Sequence, residues 1–247
     1  QNSSIPDTPV ISYTGGVSYP SNDLQFSSSA YNSGTPFGAM EWRVSEISDP
    51  STANYLAGSP YIYEIENPTK SGELTSFTAD YFVPALATSP GKTYRTRVRH
   101  QDTSGRWSHW SEPVEFVVSA PDVTPYITAL RITELHYHPS PASVAEQAMG
   151  WTDSDFEYIE LQNIGSVAID LTDVRFTKGI DYDFPSGTLI QPGAFLLVVK
   201  SQTAFESRYG AGLPIAGEWD IDDKLSNGGE NVKLSLGSGT AIIEFTY

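Results

Sequence analysis

Apolar and polar positions alternate in short runs along most of the chain, and Gly, Pro, Ser, Asn and Asp separate the runs. In the first half the pattern predicts strands at Leu24–Phe26 leading into 27–31, then Met40–Val44, Tyr61–Ile65, Phe77–Val83, Tyr94–His100 and Val114–Val118. In the second half it predicts Leu130–Leu135, Asp155–Gly165, Val167–Leu171, Val174–Thr177, Ala194–Val199, Val232–Leu236 and Ala241–Tyr247. Successive side chains of a strand point to opposite faces. Many short strands at this spacing, with no sustained helical period, predict antiparallel sandwiches. Turn chemistry falls between the runs, at Phe184–Gly187, Gln191–Gly193, Leu225–Glu230 and Gly237–Gly239, the last closing a hairpin. One brief helix is expected, with Thr203 and Glu206 as a capping box, Phe205 and Tyr209 four apart and Gly210 ending it. Pro139–Ser154 reads as a loop.

The sharpest alternation runs from Tyr94 to Arg99. It puts Tyr94, Thr96 and Val98 on a core face and Arg95, Arg97 and Arg99 on the other, with the Tyr94 hydroxyl placed to anchor a corner. Three adjacent cations repel, and Trp107-Ser108-His109-Trp110-Ser111 follows directly. Tryptophan rings between guanidinium planes make cation–π contacts, so Arg95, Arg97, Arg99, Trp107 and Trp110 are expected to form a structural ladder. The functional counterpart is an aromatic platform for a sugar ring or a partner protein, extended by Tyr31, Tyr55, Tyr61 and Tyr63.

At 247 residues the chain suits two domains, and Ala120-Pro121-Asp122-Val123-Thr124-Pro125 marks the joint, giving domains 1–121 and 122–247. Its two prolines imply a restricted linker. The opening 1–8 is polar and expected to fray. No basic-plus-apolar leader stands at Gln1, so either an export signal has been removed or the sequence is a cut from a longer chain. No run approaches the roughly 18 apolar residues of a membrane span. The net charge is −16, divided as −5 up to Pro121 and −11 beyond it, which disfavours nucleic acid and anionic lipid as partners. With no cysteine, neither a disulfide framework nor a thiolate metal site can form.

Trp42, Tyr94 and the Trp-Ser-His-Trp-Ser box resemble the core tryptophan, tyrosine corner and tryptophan box of a fibronectin type III domain, across most of 9–119. The stretch 49–72 is longer than that family needs. The second half resembles the lamin tail domain through Ile132–Leu135, Glu157–Asn163, Ile169–Leu171, Pro192-Gly193 and Leu225–Glu230. It departs from it at Val174, where lamins favour a tryptophan, and in the length of 139–154. The resemblances imply an all-β chain of two consecutive immunoglobulin-like β-sandwiches. The pairing is similar to large exported bacterial proteins, which implies an extracellular or cell-surface setting.

Two sets of side chains suit a metal. His136 and His138 could offer nitrogens to zinc, with a carboxylate from Asp153 or Asp155. The acidic run 218–223, with Asp220, Asp222 and Asp223, suits calcium, which wants several oxygens from one loop, although it lacks the glycine and closing glutamate of a helix–loop–helix site. No nucleophile elbow, phosphate-cradling loop or His-Glu-x-x-His occurs, and pairs such as Glu157 and Glu160 are expected by chance among 30 acids. The expectation is a non-catalytic adhesion, spacer or docking module of a larger exported protein, binding a protein or surface glycan without a cofactor. The alternatives are a carbohydrate-binding accessory module of a secreted enzyme and a hydrolase with carboxylates across a cleft.

Overall fold

The computed structural model describes residues 5–220 and 222–247, which form two compact units, Gln1–Pro121 and Asp122–Tyr247. Each is a β-sandwich, and the chain is all-β in class, two consecutive immunoglobulin-like β-sandwiches with a few short helices.

The first unit contains β1 (Ile11–Tyr13), β2 (Gln25–Ser28), β3 (Phe37–Ile47), β4 (Thr69–Lys70), β5 (Asp80–Phe82), β6 (Thr93–Asp102) and β7 (Val114–Val117). One sheet runs β1-β2-β5 and the other β4-β3-β6-β7, all antiparallel. Inward positions of both sheets supply Phe26, Met40, Trp42, Val44, Val98 and Phe116, all buried. Trp42 is fully buried and stacks on Tyr81 at 5.2 Å, and truncating such a residue to Ala costs about 3–5 kcal/mol. Tyr61–Ile65 is not a strand. Only Ile62 pairs, through a single antiparallel bridge to Ser48, and the alternation there belongs to a loop with one side to solvent. Of the opening expected to fray, Gln1–Ser4 lie outside the described residues, while Asp7 N donates to Asn32 O at 3.0 Å.

The second unit begins with α1 (Thr124–Ala129), where Pro125 sits in the first turn and its missing N–H costs nothing. Then come β8 (Leu130–His136), α2 (Val144–Ala148), β9 (Tyr158–Asn163), β10 (Ile169–Asp170), β11 (Val174–Lys178), β12 (Tyr182–Asp183), β13 (Leu189–Ile190) and β14 (Phe195–Val199). After them follow α3 (Gln202–Tyr209), β15 (Ile215–Glu218), β16 (Asn231–Leu236) and β17 (Thr240–Thr246). The sheets run β12-β11-β16-β17 and β15-β14-β9-β8, with β10-β13 as a small pair. Ile159, Leu161, Val174, Phe176, Val198, Leu234 and their neighbours fill the space between.

Four features depart from the sequence pattern. Helix α1 follows the joint, where no helix was expected. Ser143 and Glu146 form a capping box that starts α2 inside the expected 139–154 loop. Ser201, not Thr203, caps α3, accepting from Ala204 N at 3.4 Å. Strand β15 returns parallel to β14 after α3, and Phe205 packs on Leu197 and Val199 over the outer face of that sheet.

Candidate functional site

On the outer face of the first unit, period two in β3 and β6 presents Glu41 and Arg43 beside Arg95, Arg97 and Arg99. The register places Glu41 opposite Arg99 and Arg43 opposite Arg97. Trp107 and Trp110 fold back over this face. Arg99 lies 4.1 Å from the Trp107 ring centroid and 4.5 Å from Trp110, whose ring also takes Arg43 at 4.5 Å. The ladder is therefore Trp107–Arg99–Trp110–Arg43. Arg95 and Arg97, expected as rungs, instead reach carboxylates. Arg95 Nε donates to Glu115 at 3.0 Å and Arg97 Nε to Glu64 at 2.6 Å. Arg97 is held by Glu64 and by Ser111 O, and Arg43 on the neighbouring strand takes the place beside Trp110.

Glu64 closes the system. Its carboxylate accepts from Arg43 and from both Nε and Nη2 of Arg97, a planar two-point pairing. Burial pushes the Glu64 carboxyl up, but the hydrogen bonds from Arg97 and Arg43 outweigh it and hold the group below its ordinary value. Glu64 lies on the long 48–68 loop, so this pairing pins the loop to the sheet. The neighbours of Glu64 point the other way. Leu56, Tyr61, Tyr63 and Ile65 are 74%, 51%, 59% and 79% exposed. Tyr31, by contrast, is half-buried, and its hydroxyl donates to Thr35 O at 2.6 Å.

In the second unit the acidic run is organised by an internal cation. Lys200, next after β14 and 8% exposed, donates through Nζ to Asp220 O at 2.7 Å and to Asp223 O. Of the three carboxylates expected to gather calcium, those of Asp220 and Asp223 accept from backbone amides. Asp220 Oδ1 accepts from Asp222 N at 2.9 Å, and Asp223 accepts from Asp181 N and Lys224 N at 2.8 and 2.9 Å. Ile221, within the run, lies outside the described residues. Trp219, buried beneath, donates from Nε1 to Asp223 O at 3.2 Å. Among the described residues no three His, Asp or Glu side chains come together to hold a metal.

Beside this loop Glu157 is 2% exposed and accepts from Leu225 N at 2.8 Å. Burial pushes its carboxyl up to about 7, against the pull of Leu225 N and of Lys200 and Lys224. It borders a cleft of about 310 Å³ with Asp153, Ser154, Lys224, Ser226 and Asn227. At the other end of the same segment Asn163, fully buried, donates to Val167 O and Ile190 O at 2.8 and 2.9 Å and accepts from Gly165 N at 2.9 Å. The segment 157–163 thus carries a strand and, at its two ends, the polar groups that fix the loops around it. The family model of the lamin tail domain matches residues 124–247, just over half the chain.

The chain belongs to the lamin tail domain family.

No curated protein matches the chain significantly. Within the lamin tail domain Val174 is buried in the main core together with Phe176 and Leu236. The proposed zinc set is dispersed. His136 ends β8, stacks on Tyr158 at 4.8 Å, faces Tyr209 Oη at 3.2 Å from Nε2 and lies 3.4 Å from Glu134 through Nδ1. His138 falls beyond the strand, and Asp155 accepts from Thr152 N at 2.7 Å. Glu157 and Glu160, an odd number of residues apart, face opposite sides. Glu157 turns inward to Leu225, and Glu160 accepts from Thr133 Oγ1 on the outer face at 2.7 Å.

Sequence reasoning passed over Arg43, Glu41, Glu64 and Lys200. The alternation Met40–Val44 already puts Glu41 and Arg43 on the face opposite Trp42, and a lysine directly after the apolar run 194–199 hints at a buried ammonium. Nothing local marks Glu64, whose partner Arg97 lies 33 positions away.

Proposed function

We propose that the chain is a non-catalytic docking segment of a larger exported bacterial protein, working at the cell surface or outside the cell. In this reading the first unit is a fibronectin type III sandwich. It is supported by the buried Trp42, by the Tyr94 hydroxyl accepting from Ser89 N at 2.9 Å as a corner tyrosine does, and by the tryptophan box over the arginines. The observation that carries the function is the loop between Leu56 and Ile65. It displays four large apolar side chains to solvent while Glu64 holds its underside to Arg97 and Arg43. Exposed apolar groups on a held loop suit a protein partner, because little ordering entropy remains to be lost on binding.

The Tyr55 and Tyr61 rings stand 6.0 Å apart but tilted by 57°, which breaks the flat row that a polysaccharide chain would need and favours a protein over a glycan. The test is capture on immobilised extracellular proteins and on a glycan array, beside a panel of chromogenic glycosidase, esterase and phosphatase substrates. The reading expects protein capture that disappears when Leu56, Tyr61, Tyr63 and Ile65 are all replaced by Ser, and no turnover. Turnover of any substrate, or capture unchanged in the four-Ser variant, would overturn it.

A further inference from the structure

From residue 122 onward the chain has three arginines, and two are saturated. Arg131 donates to Ile127 O, Leu130 O and Thr128 O, and Arg208 pairs with Glu146. The side chain of Arg175, an outward position of β11, makes no ion pair or hydrogen bond among the described residues, and its Nε is shielded from solvent with no partner. A shielded donor without an acceptor is rare and calls for a cause. Arg175 borders a cleft of about 450 Å³, together with Thr177, Lys178, Asp181, Asp223 and Glu230.

The acids of this cleft are held rigidly. Asp223 accepts from Asp181 N and Lys224 N, and Glu230 Oε1 accepts from Ser226 N at 2.6 Å and Tyr247 Oη at 3.1 Å. Lys178 is drawn to Glu244 at 2.7 Å, which leaves Arg175 as the unclaimed cation. The floor is fixed as well: Gly179 has φ +85, and a Cβ there would come within 2.9 Å of Val232 Cγ2.

The geometry points to a binding site for a small monocarboxylate that also carries hydrogen-bond donors, its carboxylate seated on the Arg175 guanidinium and its donors on the Asp181, Asp223 and Glu230 side. A guanidinium fork matches a carboxylate at two points, and the bond is charge-assisted. Three nearby carboxylates repel a multiply charged oxyanion such as sulfate or phosphate, while ammonium or hydroxyl donors are welcome beside them. Two sources supply this chemistry: acidic sugars with their hydroxyls, and amino-acid or short-peptide zwitterions with their ammonium.

The experiment is a titration of the isotope-labelled chain with D-glucuronate, with glycylglycine, with the methyl ester of glucuronate and with sodium sulfate, followed by amide chemical shifts. One of the two carboxylates should bind saturably and shift the amides of 175–181 and 223–230, and which one does so identifies the source. The ester and sulfate should not. Arg175→Gln should weaken the binding by about tenfold or more, and Arg175→Lys, which keeps the charge and loses the fork, by several-fold. If Arg175→Gln does not fold, Arg175→Lys decides. The inference is overturned if neither carboxylate binds, if sulfate or the ester binds as well, or if the Lys variant binds unchanged.

Discussion

Arg97 and Arg43 stand directly opposite each other on neighbouring strands, and Glu64 bridges them, 2.6 Å from Arg97 Nε. Two like charges at opposed sheet positions repel, so without Glu64 the outer face of β3 and β6 would oppose its own pairing. One carboxylate therefore does two things at once: it neutralises the arginine row and ties down the loop whose exposed side carries Leu56, Tyr61, Tyr63 and Ile65.

Removing that carboxylate should be costly. Glu64→Ala leaves Arg43 and Arg97 half-buried and facing each other, and we expect a loss of about 2–3 kcal/mol, below the full range for a buried pair because the side chain is 13% exposed. Urea unfolding of the first unit measures it. A change under about 0.5 kcal/mol would place the pairing among ordinary surface ion pairs.

The ladder makes the two tryptophans unequal. Trp110 contacts two guanidinium groups and Trp107 one. Trp110→Leu should cost about 1–2 kcal/mol, and Trp107→Leu about half as much. Arg95→Gln, which touches neither ring, should be close to neutral. The ordering of the three midpoints in urea tests the ladder, and an Arg95 effect larger than that of Trp110 would restore the ladder expected from sequence.

Acid should move the two units in opposite directions. Burial pushes the His100 imidazole, hydrogen-bonded to Ser28 and 1% exposed, down to about 4. Between pH 6.5 and about 4 the unfolded chain takes up a proton that the folded unit refuses, so this part of the first unit's stability, present above 6.5, is lost as pH falls. Burial pushes Glu157 up to about 7. The folded second unit holds that proton from its ordinary 4.5 up to about 7, so stability present at low pH is lost as pH rises through 7. Each effect is on the order of 3 kcal/mol. Residue-resolved melting at pH 7.5 and 5.5 should show the His100→Phe and Glu157→Gln variants each removing the pH response of its own unit. A Glu157→Gln variant no more stable than the wild type at pH 7.5 would contradict the assignment.

Lys200 holds the acidic loop by its backbone carbonyls. Lys200→Met should cost about 2 kcal/mol or more, because Asp220 O and Asp223 O lose a charged donor inside a closed loop. Millimolar calcium should leave the wild-type melting temperature unchanged. A calcium-dependent rise in the wild type would return the loop to the cation-binding class.

Much of the architecture was legible because period two is a local signal. Tyr94–His100, Asp155–Gly165 and Ala194–Val199 each overlap a strand, and the box at Trp107 foretold cation–π contacts on this face. Most of the errors share one cause: partners distant in sequence. Alternation at Tyr61–Ile65 is real, but Tyr61, Tyr63 and Ile65 face water while Glu64 faces arginines, so the pattern comes from an ion pair rather than a sheet. Arg43 stands in the ladder in place of Arg97, whose guanidinium is taken by Glu64 and Ser111 O. The calcium expectation did not foresee Lys200, whose ammonium reaches Asp220 O from 20 positions away. The Ser143–Glu146 capping box had a plain local signature, as did the placement of Glu41 and Arg43 opposite Trp42.

Amide hydrogen exchange across Tyr61–Glu66 in the wild type and in Glu64→Gln tests the central relationship most directly. A loop pinned by Glu64 predicts slow exchange at Ile62, bonded to Ser48 O at 2.9 Å, and at Glu66, bonded to Tyr63 O at 2.8 Å. Both should become fast in the variant while β3 and β6 stay protected. Fast exchange at these amides in the wild type, or protection unchanged in Glu64→Gln, would contradict it.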